Sequence, residues 1–255
     1  MADVVPEEFV RRLLQTLTPW DCGSCLVRIG PDGDGGYLVP DAHLGAVELV
    51  MSAGLGGSSA FEDMMFERFG VPASIVDGSM DRPSWLRPEH RFHRRWLAGR
   101  STDDRWTLDE WVSADAPDSG ELLLQMDVEG AEYRALEAAQ PSALGRFRVI
   151  VVELHGLGRL TDRAGYSRIA PALANLARQF VTVHAHPNNY GRTIRHGDLV
   201  IPDLLEITCV RRDSLGPQWQ PEVPAPLPHH LDRRSAAERD EVGLWTGWPA
   251  TADSS

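Results

Sequence analysis

The feature that most constrains this chain is Leu122-Leu-Leu-Gln-Met-Asp-Val-Glu-Gly-Ala-Glu132. Leu122 to Leu124 and Met126 are apolar at neighbouring positions, which fits a strand covered by helices on both faces of a parallel sheet. Asp127 follows, then Glu129, Gly130 and Glu132 as a helix opens. A strand that ends on a carboxylate and turns straight into a helix is half of a βαβ unit. In open parallel sheets, ligands sit outside the carboxyl ends of the strands. Asp127 therefore either stands where chemistry takes place or N-caps the next helix, as Asp does well. This stretch alone leaves both readings open.

A second unit lies upstream. Ala46–Ala53 reads as a core strand and runs into Gly54-Leu-Gly-Gly-Ser-Ser. A helix follows over Ala60–Phe69, with Phe61, Met64, Met65 and Phe69 inward. The next strand, Ala73–Val76, ends at Asp77-Gly78-Ser79. Strand, glycine turn, helix, strand and acid is the opening of a Rossmann-like sheet. Gly54 and Asp77 are 23 positions apart, near the expected spacing of about 20. Ser59 stands at the third glycine position, where a dinucleotide fold needs tight packing beside a pyrophosphate. S-adenosylmethionine, which has no pyrophosphate, needs that glycine less. Its methionyl part lies over such a turn and its ribose diol meets the acid, a carboxylate accepting two hydroxyl donors. Asp77 is expected to be that acid.

The remaining chain supplies packing elements and further strand ends. Pro6–Leu17 reads as an amphipathic helix with Phe9, Val10, Leu13, Leu14 and Leu17 on one stripe. Arg28–Pro40 is a Gly/Asp-rich turn between extended pieces: either a plain hairpin or a loop that lets a ligand come close. His90–Leu97 holds a short third strand within the one basic region (Arg87, Arg91, Arg94, Arg95, Arg100, Arg105). That region is a solvated face or an edge for an anionic group. Thr107 caps a short helix to Val112, and Ala131–Ala139 forms another. Arg148–His155 is a second doubly apolar strand. Alternation points Glu153 and His155 the same way, so beside the Asp127 strand they converge with that carboxylate. A helix over Tyr166–Phe180 leads to a strand at Val181–Ala185. His186, Asn188 and Asn189 come next, read as a Pro-Asn turn or as a wall of an acceptor site. Leu204–Arg211 is a last strand, expected to be antiparallel. The Pro-rich tail from Ser214 carries Trp219, Trp245 and Trp248 and reads as a disordered segment, a lid or a homodimer contact.

Composition removes several function classes. A chain of 255 residues, 42% hydrophobic, builds its core without disulfides. Its organisation reads as an N-terminal helical segment (1–27), one α/β domain (28–213) and the tail (214–255). A net charge of −12 argues against nucleic acid, which needs a basic face. No apolar run approaches the ~20 residues that span a bilayer, and no signal segment opens the chain. A soluble, cytoplasmic protein is expected. All 25 basic residues are Arg; without Lys there is no P-loop and no Schiff-base chemistry. Cys22 and Cys25 form a lone C-x-x-C with no second pair, read as coincidental spacing.

Together these pieces resemble the FkbM-like S-adenosylmethionine-dependent methyltransferases. The carrying residues are Asp34-Gly-Gly-Tyr37, Ser52-Ala-Gly-Leu-Gly56 with Phe61-Glu62, Asp77, Met126-Asp-Val-Glu-Gly-Ala-Glu132, Val152-Glu-Leu-His155, His186-Pro-Asn-Asn-Tyr190 and Ile201-Pro-Asp-Leu-Leu-Glu-Ile-Thr208. The resemblance spans roughly residues 28–211, and the Asp-Val-Glu-Gly-Ala-Glu block is its most specific part. The chain departs from it at Gln125, where a Lys often stands. It implies a Rossmann-like class I methyltransferase fold: a seven-stranded, mostly parallel sheet with the last strand antiparallel and helices on both faces. It implies that Gly54, Gly56, Glu62 and Asp77 hold the cofactor, with Ser79 and Asp127 beside them. Tyr37, His186, Asn188 and Asn189 are then expected to meet a small-molecule acceptor, a hydroxyl of a sugar or polyketide-type metabolite. Related sugar O-methyltransferases use a divalent cation on strand-end acids, so Mg²⁺ on Asp127 and Glu153 is a further expectation. His155, with Glu153, is the expected general base. Two rivals remain: an NAD-dependent oxidoreductase with Asp77 on the adenosine ribose, and a non-catalytic ligand-binding module on the same fold.

Overall fold

A computed structural model describes residues 4–217, 219–225 and 227–243. Seven strands form the central sheet: β1 Val47–Ala53, β2 Ala73–Val76, β3 Arg91–His93, β4 Glu121–Met126, β5 Phe147–His155, β6 Phe180–Pro187 and β7 Leu204–Arg211. Their order across the sheet is β3-β2-β1-β4-β5-β7-β6. The pairs from β3 to β5 are parallel. β7 runs antiparallel to both β5 and β6. The link from β6 to β7 holds only the hairpin Thr193–His196 with Leu199–Pro202. With no crossover helix to carry the chain back, the last strand returns antiparallel.

The doubly apolar strands are covered on both faces. Leu122, Leu124 and Met126 enter one core with Met51, Ile150 and Val152. Leu123 enters the other with Val50, Val149 and Val151. This is the period-two alternation of a strand, here apolar on each side. The first core is closed by α1 Glu7–Gln15, α3 Leu108–Asp115, α4 Glu132–Ala138 and α5 Arg163–Gln179, through Leu14, Trp111, Leu136 and Leu173. The second is closed by α2 Ala60–Phe69, through Phe61 and Met65, and by the hairpin Leu26–Ile29 with Tyr37–Pro40. Met64 and Phe69, expected inward, are only partly buried against it.

Local chemistry sets the helix ends. Thr107 and Glu110 form a capping box at the start of α3, satisfying two otherwise open backbone donors. α5 starts three residues earlier than its apolar stripe suggests, because the Asp162 carboxylate accepts the Gly165 amide N–H. The short third strand expected within 90–97 is β3. β3 stops at His93, and Trp96–Leu97 pairs with Arg105–Trp106 instead. No helix among the described residues is long and apolar enough to cross a membrane.

Candidate active site

The tips of β1 and β4 touch. Asp127 N donates to Ala53 O at 2.9 Å. A Cβ on Gly54 would lie 1.8 Å from the Asp127 carbonyl oxygen, and Gly54 sits at φ +86°. Only glycine fits that approach and that conformation. Asp127 does not cap the following helix: its N-cap is Ala131, with no side-chain cap. Glu132 serves the turn instead, accepting the N–H groups of Gly130 and His155 at 2.8 Å each.

Asp77 stands at the end of β2 as expected, with a different task. Its Oδ2 accepts the amides of Leu55 (3.0 Å) and Gly56 (3.3 Å). Its Oδ1 accepts the Ser79 amide (2.8 Å) and hydroxyl (2.6 Å). A carboxylate has about four lone-pair sites, and protein donors occupy all four. Asp77, expected to receive a ribose diol, here braces the glycine turn, and Ser79 completes that brace. Glu62 is 3% exposed and pairs with the Ser52 hydroxyl under the turn. Burial raises its carboxyl above the usual range, against the Ser52 bond.

Above the turn lies a cavity of about 600 Å³. Its floor is Gly54 to Ser58, and its sides come from the tips of β2 and β4 and from Asp34 to Tyr37. Trp96 forms one wall, stacked so closely on Gly78 that a Cβ there would lie 2.3 Å from the indole. The charged lining is five carboxylates (Asp34, Glu62, Asp77, Asp127, Glu129) against one guanidinium, Arg95.

At the edge of this cavity the β4 and β5 tips do converge. His155 Nε2 lies 3.5 Å from Asp127, 3.5 Å from Glu129 and 3.9 Å from Glu153. Its Nδ1 lies 3.4 Å from Glu132, out of line for a hydrogen bond. Burial alone would lower the imidazole's pKa, but Glu132, Glu153 and Asp127 outweigh it and raise it to about 9. Burial raises Asp127 to about 6, opposed by His155. Burial, then Asp127 and Glu206, push Glu153 up to about 9. The surrounding acids thus favour the protonated imidazole of His155, the residue expected as general base. Ligand atoms of Asp127, Glu153 and His155 lie within 4.8 Å of one another, as do those of Asp34, Glu153 and Glu206. Hard carboxylate oxygens with one imidazole suit a divalent cation, and the high proton affinity of Glu153 marks a place short of positive charge.

The other expected residues divide. Tyr37 reaches the cavity, 3% exposed, with its hydroxyl unpartnered. Asn188 donates to Glu153 (3.0 Å) and Asp34 (3.3 Å), orienting the acids from behind. His186 faces Glu206 at 3.4 Å. Asn189 is not an acceptor-site wall: its side chain bonds the backbone of Ala236 and Arg239 and holds the tail down. Among described residues the tail packs on the body, with Trp219 Nε1 donating to Asp21 O and Ala225 N to Pro19 O. Trp245 and Trp248 lie outside the described residues. In the basic region, Arg87, Arg94 and Arg105 pair with surface acids and Arg91 with the largely buried Asp115; Arg95 alone lines the cavity. Cys22 and Cys25 are free thiols. Reading the residues missed Asp34 as a partner of Glu153, Glu129 at the junction and Trp96 as a wall. Glu129 carried one signal, standing before Gly130 in a turn too short for ordinary dihedrals; its φ is +53°.

These features define an open α/β sheet with an acid-walled cavity at the carboxyl ends of its central strands. No protein-family model matches the chain, and no curated protein matches it in sequence. Among solved structures, that of the pyocyanin biosynthetic protein PhzM is similar at 14% identity and TM-score 0.30, over 64% of this chain and 50% of that one. The chain thus spans about half the length of that structure, and so distant a likeness carries no weight below.

Proposed function

We propose that the protein is an S-adenosylmethionine-dependent O-methyltransferase acting on a hydroxyl of a small metabolite. The observation that carries this reading is the charge of the cavity over the glycine turn. Five carboxylates and one guanidinium favour a sulfonium and an ammonium over a pyrophosphate, whose oxyanions would face like charge. An NAD-dependent oxidoreductase needs that pyrophosphate on the same turn. The sheet order supports the methyl-transfer reading too. A dinucleotide sheet runs 3-2-1-4-5-6, whereas here a seventh strand runs antiparallel, which is what the resemblance to class I methyltransferases implies.

The chain's own residues supply alignment, exclusion of water and a proton acceptor. Gly54 and Gly56 let the donor lie on bare backbone, and Trp96 offers a flat face for the adenine ring. An acceptor hydroxyl must lose its proton as the methyl group moves. Asp127, raised to about 6 and lining the cavity, has the pKa suited to that task near neutral pH. His155 is its positioning cation: 3.5 Å away, it favours the ionised carboxylate. A divalent cation held by Asp127 and Glu153 would take the place of that proton-accepting role, since a coordinated carboxylate is no free base. Bound there, that cation would orient the acceptor hydroxyl and lower its pKa.

The test is thermal denaturation with S-adenosylhomocysteine, NAD or NADP, each with and without Mg²⁺. A ligand at 100 times its Kd adds about 2.7 kcal/mol, a rise of roughly 5–10 °C for a chain of this size. Stabilisation by S-adenosylhomocysteine alone is expected. Stabilisation by NAD or NADP alone overturns the proposal.

A further inference from the structure

A second cavity, of about 250 Å³, lies beyond Glu129. It opens between the end of β5 and the first turns of α5. Tyr133, His155, Arg159, Arg168 and Ile169 line it, and Glu129 borders both cavities. Two features of its arginines are unusual in a chain of net charge −12.

Among the described residues neither arginine has an acid. Arg159 sits on the short turn Leu157–Thr161, exposed, with no ion pair or side-chain hydrogen bond among the described residues. Arg168 donates Nη2 to the Gly130 carbonyl at 2.9 Å, and its Nε is buried with no partner. Glu129, the one carboxylate in the lining, faces His155 at 3.5 Å. The Tyr133 hydroxyl is engaged as well, donating to the His155 carbonyl at 2.9 Å. A guanidinium is always charged and carries five N–H donors. Two of them on one small cavity, one with a buried open donor, form a site for an oxyanion, which planar guanidinium groups bind in bidentate fashion.

We propose that this cavity binds the carboxylate or phosphate group of the methyl acceptor, between Arg159 and Arg168. From there the acceptor passes Glu129 and presents its hydroxyl at Asp127. The substrate class is thus a hydroxylated acid or a phosphorylated alcohol. Its acidic group is separated from the reacting oxygen by the width of the β4–α4 turn. The placing of the hydroxyl rests on the methyl-transfer reading; the oxyanion site itself does not.

The experiment is a thermal-shift titration of the full chain with inorganic phosphate and, separately, malonate, each against chloride at matched ionic strength. Phosphate probes the phosphoester source and malonate the carboxylate source. The variants are Arg159→Gln and Arg168→Gln. Arg159→Gln removes no hydrogen bond or ion pair among the described residues, so it keeps the test meaningful if loss of the Gly130 bond unfolds the other. Saturable stabilisation by at least one anion is expected, weakened about tenfold or more by Arg159→Gln, the loss of one charge-assisted contact. The response to S-adenosylhomocysteine should be unchanged in that variant. Anion shifts no larger than those of chloride, or equal in wild type and Arg159→Gln, overturn the oxyanion site. Anion binding that needs Arg159, without any response to S-adenosylhomocysteine, leaves the oxyanion site standing and removes the methyl donor instead.

Discussion

Replacing Asp77 by Asn tests whether that carboxylate braces the glycine turn or waits for a ligand. Asp77 accepts two amides from the turn and an amide and a hydroxyl from Ser79. Asn offers one oxygen. Its best arrangement keeps that oxygen on Leu55 and Gly56 and turns the NH₂ toward Ser79. The Ser79 hydroxyl can rotate to accept, but the Ser79 amide cannot. One backbone donor in a site where Asp77 is 8% exposed then loses its partner, at about 1–3 kcal/mol. The bonds to Leu55 and Gly56 also fall from charge-assisted to neutral, roughly half as strong. Together the cost is about 2–4 kcal/mol, or roughly 4–16 °C in melting temperature. The assay is thermal denaturation of the ligand-free protein, followed by titration with S-adenosylhomocysteine. The expected result is a lower ligand-free melting temperature together with weaker binding. An unchanged ligand-free melting temperature with binding lost would refute the bracing argument and restore Asp77 as a direct ligand.

Other outcomes follow from the same geometry. Gly54→Ala should abolish donor binding: a methyl group 1.8 Å from the Asp127 carbonyl must displace the β4 tip, and positive φ adds roughly 1–2 kcal/mol; tight S-adenosylhomocysteine binding by calorimetry would contradict this. Turnover should rise with pH through an apparent pKa of about 6, since a base works only when deprotonated. In Asp127→Asn turnover should vanish while donor binding persists, and a pH profile flat from 5 to 8 would exclude Asp127 as the base. Burial lowers His184 to about 3, below its unfolded value of about 6.5. The stability this neutral imidazole gives is thus whole above pH ~6.5 and lost as the pH falls below it, about 2 kcal/mol by pH ~5. Asp232, 2.9 Å from Nε2, favours the charged form and makes that an upper figure. Denaturant melts of wild type and His184→Gln at both pH values should differ by this slope; parallel slopes would refute it. Leu124→Ala, at a fully buried position of β4, should cost about 2–5 kcal/mol, read as a lower denaturation midpoint.

The elements legible in the residues were those whose signals are local. The run Leu122–Met126 could only be a strand covered on both sides, and Gly54 to Asp77 had the spacing of a βαβ unit. The helix Ala60–Phe69 was bounded by its own sequence. Where signals were weak, tertiary contacts decided. Asp162 moved the start of α5, and pairing of Trp96–Leu97 with Arg105–Trp106 kept those residues out of the third strand.

The candidate site divides along the same line. Strand periodicity put Glu153 and His155 on one face of their strand, because alternation is a property of the backbone, and the pairing of β4 with β5 brought them to Asp127. What those groups do there was not in the sequence. A pKa depends on burial and on every charge within a few ångströms, so only the assembled acids could keep the His155 proton on and leave Asp127 near neutrality. Lone pairs are shared out in the same way. Only the folded chain shows that Asp77 is saturated, that Asn189 serves the tail, and that Arg159 on a short turn and Arg168 on α5 reach one cavity.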